Sequence, residues 1–384
     1  MRLTREQLLT DLRQAYLDAR RHKRNKPYQR LFEARLELNL SELCDELWTR
    51  TYHPRPSTCF LISDPKRREV FAAQFRDRIV HHLYYNYTHA LLERTFIHDS
   101  YSCIKGRGTH FGIDRLERHI RQESQNWTER CYVLKMDIRG YFMHIDRQRL
   151  LDITLRQLRR MAKRWGGVNM DFVEWLSREI ILLNPVEDCE IHGNPAEWAS
   201  LSKDKSLFHS PKGKGLPIGN LTSQLFSNVY LNELDQYMKR TLHCRHYGRY
   251  VDDFYVVSAD RQWLRGLIPQ ARDFLQRELG LQLHEGKVRI SDVRHGVEFL
   301  GAYLKPHRRY VSNTTLRRMR SKLPALEAEE NPERLRARLN SLLGILGHYR
   351  SMNIQRRLFL PLASPYRVGQ FFLTRSGLLF CFSS

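Results

Sequence analysis

Three observations in the sequence predict an α+β fold. Apolar residues recur at helical spacing in the first hundred residues, short strand-forming runs occupy the middle, and a basic, leucine-spaced stretch follows them. With 384 residues, 41% of them hydrophobic, the chain has enough length for one large or two to three smaller compact units.

In chain order, residues 5–24 set Leu8, Leu9, Leu12, Ala15, Tyr16 and Ala19 at helical spacing and predict a helix. The stretch 65–98 opens on a basic cluster and continues as a second, aromatic-rich helical pattern. CYVLKMDI reads as a buried strand, closed downstream by Gly140. Residues 184–215 are rich in Pro, Gly, Asn, Ser and charge, which predicts an exposed insertion. GLPIGNLTSQ is a turn running into a helix whose stripe Phe226, Val229, Tyr230, Leu234, Tyr237 and Met238 is core packing. HYGRYVDDFYVVS reads as two short strands joined by a tight turn. From 304 to 350, 11 Lys and Arg stand against 4 Glu on a leucine pattern, which predicts a small helical bundle with a basic face. The last segment, QFFLTRSGLLFCFSS, is apolar but too short and interrupted to span a membrane, and no role is assigned to it.

Charge narrows the class of partner. Lys and Arg number 64 against 42 Asp and Glu, a formal net charge of +22, which favours polyanions, nucleic acid first. The N-terminus lacks an apolar signal core, and no window reaches the ~20 apolar residues of a membrane span. The seven cysteines are odd in number and scattered, without the close spacing of a zinc half-site.

Asp252 and Asp253 stand side by side in an aromatic, β-branched stretch. A plain turn is the bland explanation, since Asp caps local amides. Asp137, at the end of CYVLKMDI, adds a second strand-like run that ends in Asp and suggests that both acidic sites lie at one edge of a common sheet. Carboxylates held ~4 Å apart repel by roughly 4 kcal/mol at an effective dielectric of about 20. A divalent cation reverses that sign, so the three acids are candidates for a two-metal phosphoryl-transfer site. In the turn before the helix, Gly219 permits close backbone approach, and Asn220, Thr222, Ser223 and Gln224 supply hydrogen-bonding groups.

The ordered series KMDIRGYF, GLPIGNLTSQ, YVDD, HEGKVRI and FLGAYL resembles the palm motifs of reverse transcriptases, and FRDRIVHHL with FIHDSYSCIKGRGTH resembles the finger motifs of the bacterial branch that includes group II intron and retron enzymes. The resemblance covers roughly Tyr28 to Leu304 and implies a right-hand polymerase fold. Its divisions would be an N-terminal extension and fingers over 1–128, a palm over 129–306 with an inserted segment at about 147–215, and a helical thumb and tail over 307–384. It implies catalytic roles for Asp137, Asp252 and Asp253, with Asp137, Asp252, Asp253 and the carbonyl of Ile138 at two Mg²⁺ ions, Mn²⁺ being a substitute in vitro. Phe142 matches the steric gate against a ribose 2′-OH, and Arg67 or Arg68 the contact to the incoming triphosphate. Lys287 resembles the proton donor to pyrophosphate, and Phe299, Leu300 and Gly301 the primer grip. Each has a plainer alternative: core packing for Phe142, a solvated side chain for Lys287, a template phosphate contact for Arg67 and Arg68. His81 and His82 read as packing.

Ile218 and Gln224 stand where many relatives carry Gln and Pro, so that IGNLTSQ is similar to the variant in diversity-generating retroelement enzymes. That likeness implies error-prone copying of a template-repeat RNA, with errors opposite adenine. The nucleotide-binding set is then Arg67, Arg68, Phe142, Ile218, Gly219, Gln224 and Lys287. The implied partners are template RNA, the RNA/cDNA hybrid, dNTPs and a basic helical accessory variability protein, with no membrane; the implied location is the cytoplasm, the gene being bacterial or phage-encoded. A retron-type or phage-defence reverse transcriptase is the alternative within the same chemistry, and a non-catalytic maturase-like RNA-binding protein the alternative outside it.

Overall fold

The computed structural model describes residues 3–21, 26–64, 66–375 and 377–382. Its strands, in chain order, are β1 (Ser57–Ile62), β2 (Arg68–Ala72), β3 (Tyr132–Asp137), β4 (Cys189–Ile191), β5 (His246–Tyr250) and β6 (Asp253–Ser258), then β7 (Arg289–Asp292), β8 (Val297–Phe299), β9 (Ala302–Lys305), β10 (Arg308–Val311), β11 (Gly369–Thr374) and β12 (Gly377–Phe382). Two compact units divide the chain. The first holds Met1–Gly108, Lys135–Tyr255 and Gly266–Val288; the second holds Thr109–Leu134, Val256–Arg265 and Arg289–Ser384.

In the first unit, the helix expected over 5–24 runs Arg5–Arg20, capped by Thr4, whose hydroxyl accepts from the Gln7 amide. Residues 22–25 lie outside the described residues. The helix buries Leu8, Leu12, Ala15, Tyr16 and Ala19, and Tyr16 meets Phe75 edge-on at 6.3 Å. The 65–98 stretch is not helical from its basic opening. Arg68–Ala72 alternates exposed and buried side chains as strand β2, and the helix begins only at Phe75 and runs to Glu93. β2 pairs antiparallel with β1, which pairs parallel with β4.

β4 belongs to the 184–215 stretch, so the stretch expected as an exposed insertion is partly docked. Its anchor is Glu69, 1% exposed, whose carboxylate accepts from Trp198 Nε1 at 2.8 Å, Ser206 Oγ at 2.7 Å and the Leu207 amide at 2.6 Å. A buried carboxylate persists only when its lone pairs are filled this way.

The strand order β5-β6-β3 sets the YVDD hairpin beside CYVLKMDI. Among β3 side chains Lys135 and Asp137 are the most exposed, both on the same strand face. The helix Leu221–Gln236 is buried on nearly every side, more than the single stripe read from its sequence.

In the second unit, β7 continues beside the start of β3, with the Val293 amide donating to the Cys131 carbonyl at 3.1 Å. β8, β9 and β10 form a meander. The expected helical bundle over 304–350 therefore starts with strands, and its helices are Asn313–Arg320, Leu323–Glu327 and Pro332–Gly347. Their core of Met319, Leu326, Leu335, Leu339, Leu343 and Leu346 also takes in Phe359 and Phe380. Phe380 lies on β12, so the unassigned C-terminal segment is a β11–β12 hairpin that supplies part of this core. No helix among the described residues is long and apolar enough to cross a membrane.

Glu69→Ala leaves three donors without an acceptor, a loss of roughly 3 kcal/mol. Limited proteolysis of that variant should cut within 184–215 earlier than in the wild type while the rest of the chain resists; an unchanged digestion pattern would remove Glu69 as the anchor.

Candidate active site

The end of β3 is fixed by the segment 282–284. The Asp137 carbonyl accepts from the His284 amide at 2.8 Å, and the Arg139 amide donates to the Gln282 carbonyl at 2.9 Å, with Ile138 bridged to Leu283 between them. The segment around HEGKV therefore runs beside KMDIR and delivers Lys287, whose Nζ lies 2.8 and 2.9 Å from the two Asp137 carboxylate oxygens. After Ile138, which is buried, Gly140 takes φ +53°. A Cβ there would meet the His144 ring at 2.8 Å and the Asp204 carbonyl at 3.0 Å. This turn leads into the short helix Tyr141–His144 that carries Phe142.

The hairpin turn holds Asp252 and the first residue of β6, Asp253. Val251 before them has φ +54°, a strained conformation for a β-branched residue. Its carbonyl accepts from Arg249 Nη1 at 3.0 Å, and its amide donates to Ser102 Oγ at 3.3 Å. Arg249 is fully buried, with Nε and Nη2 on the two Asp235 oxygens at 2.7 and 2.6 Å. Burial alone would lower the Arg249 guanidinium; the adjacent Asp235 reverses that and drives it upward. Ser100 to Ser102 of the DSYSC motif run beside Arg249, and the Tyr101 amide donates to its carbonyl at 3.0 Å. The motif's place in the fold is thus to brace the acidic turn.

Electrostatics tie the three carboxylates together. Burial first, then the nearby charges of Asp137 and Asp253, push Asp252 up to about 6. Burial also raises Asp253, with Asp137 adding to it and Lys135, whose Nζ is 3.5 Å away, opposing it. Among the described residues no group of three or more His, Cys, Asp or Glu side chains is arranged to hold a metal ion. Lys287 instead sits on Asp137 and Lys135 on Asp253. The donor chemistry fits a hard divalent cation: crowded carboxylates are neutralised here only by lysines on flexible stems, which a cation can displace.

The other candidates are spread over several places. Phe142 and Ile218 both pack against Cys59, Phe71, Met143 and Leu207. The Ile218 carbonyl accepts from the Phe71 amide at 2.8 Å, and the close approach that Gly219 (φ +132°) allows is to the Phe71 carbonyl, 2.7 Å from where a Cβ would sit. Gln224 is exposed in the first turn of its helix. Arg67 bonds Ser200 of the 184–215 stretch, while Arg68 is exposed at the start of β2. Phe299, Leu300 and Gly301 close the β8–β9 turn in the second unit, Leu300 and Gly301 both at positive φ. His81 is half-buried and bonds Thr222 at 2.8 Å, with desolvation holding its imidazole down at about 4.

Sequence reasoning missed Lys135, Asp235 and Arg249. The first was legible, lying two residues before Asp137 and so on its strand face. The other two are 14 residues apart on a helix and a strand and meet only through the fold.

Residues 65–304 match the family described as reverse transcriptase (RNA-dependent DNA polymerase). Protein YkfC of Escherichia coli (strain K12) is 24% identical over 308 residues, covering 71% of this chain and 72% of its own. Among solved structures, apo telomerase from Candida tropicalis aligns with a TM-score of 0.48 and 10% identity, covering 80% of this chain and 60% of that one. The same telomerase truncated from its C-terminal domain gives 0.46 and 11%, covering 69% and 58%. The chain spans about three fifths of both telomerase chains.

A raised Asp252 stabilises the folded state only while protonated. With no divalent ion bound, its ionisation makes stability fall as pH rises from about 4 to about 6. Asp252→Asn should therefore melt a few degrees higher than wild type at pH 7.5 and near the wild-type temperature at pH 4. Equal differences at both values, measured by thermal denaturation in EDTA, would contradict a raised Asp252.

Proposed function

The chain belongs to the reverse transcriptase family, and from that premise we propose that it copies RNA into DNA in an error-prone manner, as the enzyme of a diversity-generating retroelement. The observation that most supports catalysis is the gathering of Asp137, Asp252 and Asp253 at the ends of adjacent strands, where burial first and then the two neighbouring acids lift Asp252 to about 6. A pure RNA-binding module has no use for such an arrangement. Mg²⁺ held by Asp137, Asp252 and the Ile138 carbonyl, with Asp253 beside them, would supply Lewis-acid stabilisation of the reacting phosphate.

The remaining steps belong to the chain's own residues. Phe142, backed by the Phe71 and Met143 cluster, presents a wall against a 2′-OH. Lys287 bonds Asp137 and is placed in this reading to pass a proton to departing pyrophosphate. Arg68, with its exposed position, fits the triphosphate contact better than Arg67, which is engaged with Ser200.

The mutagenic reading is supported by IGNLTSQ and by the apolar setting of Ile218. Its side chain offers no hydrogen bond to an incoming nucleotide, so selection rests more on shape, and apolar pockets discriminate modestly. The template RNA, the RNA/cDNA hybrid, dNTPs and a basic accessory variability protein are the partners in this reading; a +22 chain would meet a basic protein through apolar or RNA-bridged contacts.

Asp252→Ala and Asp253→Ala should each abolish primer extension on an RNA template, by at least roughly 10³-fold, with RNA affinity retained. Substantial extension by either variant would remove that residue from the catalytic set. Ile218→Gln should lower misincorporation opposite adenine in sequenced cDNA; an unaltered error spectrum would exclude Ile218 as a fidelity determinant.

A further inference from the structure

The second unit carries a cationic groove that shares no residue with the acidic site. Its volume is about 350 Å³, and Arg130, Tyr132, Arg261 and Arg289 line it together with Asp292 and Tyr303. Two guanidiniums lie over one ring: Arg130 at 5.6 Å and Arg261 at 5.7 Å from the centre of Tyr132. Tyr132 is nearly buried, so the platform is rigid, and stacking on it holds the two forks while leaving the N–H edge of Arg261 available.

Among the described residues Asp292 is the only acid lining the groove, and it is already engaged. It accepts from Arg130 Nε at 3.1 Å and from Arg294 Nη2 at 3.2 Å. Burial works to raise its carboxyl, but Arg294 and Arg130 outweigh that and hold it down at about 2. Among the described residues neither Arg261 nor Arg289 has a carboxylate partner. Lys305 adds a further cation over Tyr303 at 5.8 Å. Several guanidiniums converging with one spent carboxylate form a site short of negative charge, and the planar fork suits the oxygen geometry of phosphate.

We propose that this groove is a phosphate-binding site for a strand of RNA, with Arg261 and Arg289 as the principal contacts and Tyr132 as their platform. The groove is open along the surface, which favours a passing phosphodiester backbone over a captured small molecule. Binding of this kind tracks charge without reading sequence, and each phosphate neutralised on a single strand contributes about 0.7 to the salt slope. The inference rests on the reading of the chain as an RNA-copying enzyme.

The test uses the full chain and labelled single-stranded RNA, with affinity followed by fluorescence anisotropy across a salt series. Primer extension at saturating primer–template runs in parallel. The double variant Arg261→Gln/Arg289→Gln should bind RNA roughly 10-fold more weakly, with a salt slope lower by about 1.4, and should still extend at saturation. Arg261→Lys/Arg289→Lys, which keeps charge but loses the fork, should recover most of the slope and only part of the affinity. Unchanged affinity and slope in the Gln variant, with wild-type extension intact, would overturn this site alone. Wild-type protein that neither binds RNA nor extends a primer would overturn both readings. Inorganic phosphate and a mononucleotide are the competitors; if either binds in an Arg261- and Arg289-dependent way while RNA affinity does not change, the groove serves small phosphates and the RNA assignment fails.

Discussion

The ion pair between Arg249 and Asp235 is the constraint on which the candidate active site depends. Both side chains are fully excluded from solvent, and the contact is bidentate. Tyr247 donates a further hydrogen bond to Asp235 at 2.6 Å. Such a pair adds little net stability over apolar residues of similar volume, yet breaking it is expensive, about 3–5 kcal/mol, because an uncompensated charge stays buried. Its value lies in position. The third nitrogen of Arg249 holds the Val251 carbonyl, and Val251 is the strained residue directly before Asp252. A conformation that costs about 1–3 kcal/mol persists only when its surroundings over-determine it. The buried pair and the Ser102 hydroxyl do so, and the direction of two acidic side chains follows.

Charge crowding is the second constraint, and it pulls the other way. The Asp252 carboxyl is held up at about 6 by burial and by its neighbours, so at neutral pH the folded chain carries an ionised group in an unfavourable place. Lys287 and Lys135 partly neutralise the group of acids. A rigid scaffold under a destabilised cluster is the arrangement expected where binding of a cation, rather than folding, is to gain from the charge.

Much of this was legible in the sequence, and the exceptions share a cause. CYVLKMDI and the YVDD hairpin read correctly as strands because their apolar runs are short, β-branched and bounded by turn residues. The helix after GLPIGN was clear in kind but not in burial, since one stripe of large residues masked the small and polar positions, Ser227, Asn228 and Asn232, that are equally enclosed. β2 was lost inside a helical pattern because five residues give too short a period to read against a basic flank. The C-terminal hairpin was unassigned for a similar reason: QFFLT and GLLFCF alternate only once folded, with Phe371 and Phe380 turned to a core built by leucines between Leu326 and Leu358. Glu69 and Asp235 were invisible as anchors, because a buried acid is identified by its donors and those come from distant segments.

The same cluster logic bears on nucleotide selection. Phe142 leaves β3 through the Gly140 turn, and Ile218 arrives through the Gly219 turn, yet both rest on Cys59, Phe71, Met143 and Leu207. Leu207 itself is placed by the hydrogen bond that its backbone amide donates to the Glu69 carboxylate, so the 184–215 stretch forms part of the backing of both side chains. Residues that share one packed cluster do not act independently, because a shift in one neighbour moves the rest. The wall that would judge a sugar and the residue beside it that would judge base geometry are therefore a single mechanical unit in this chain. The docked insertion, which reads in sequence as an exposed loop, is one of its supports.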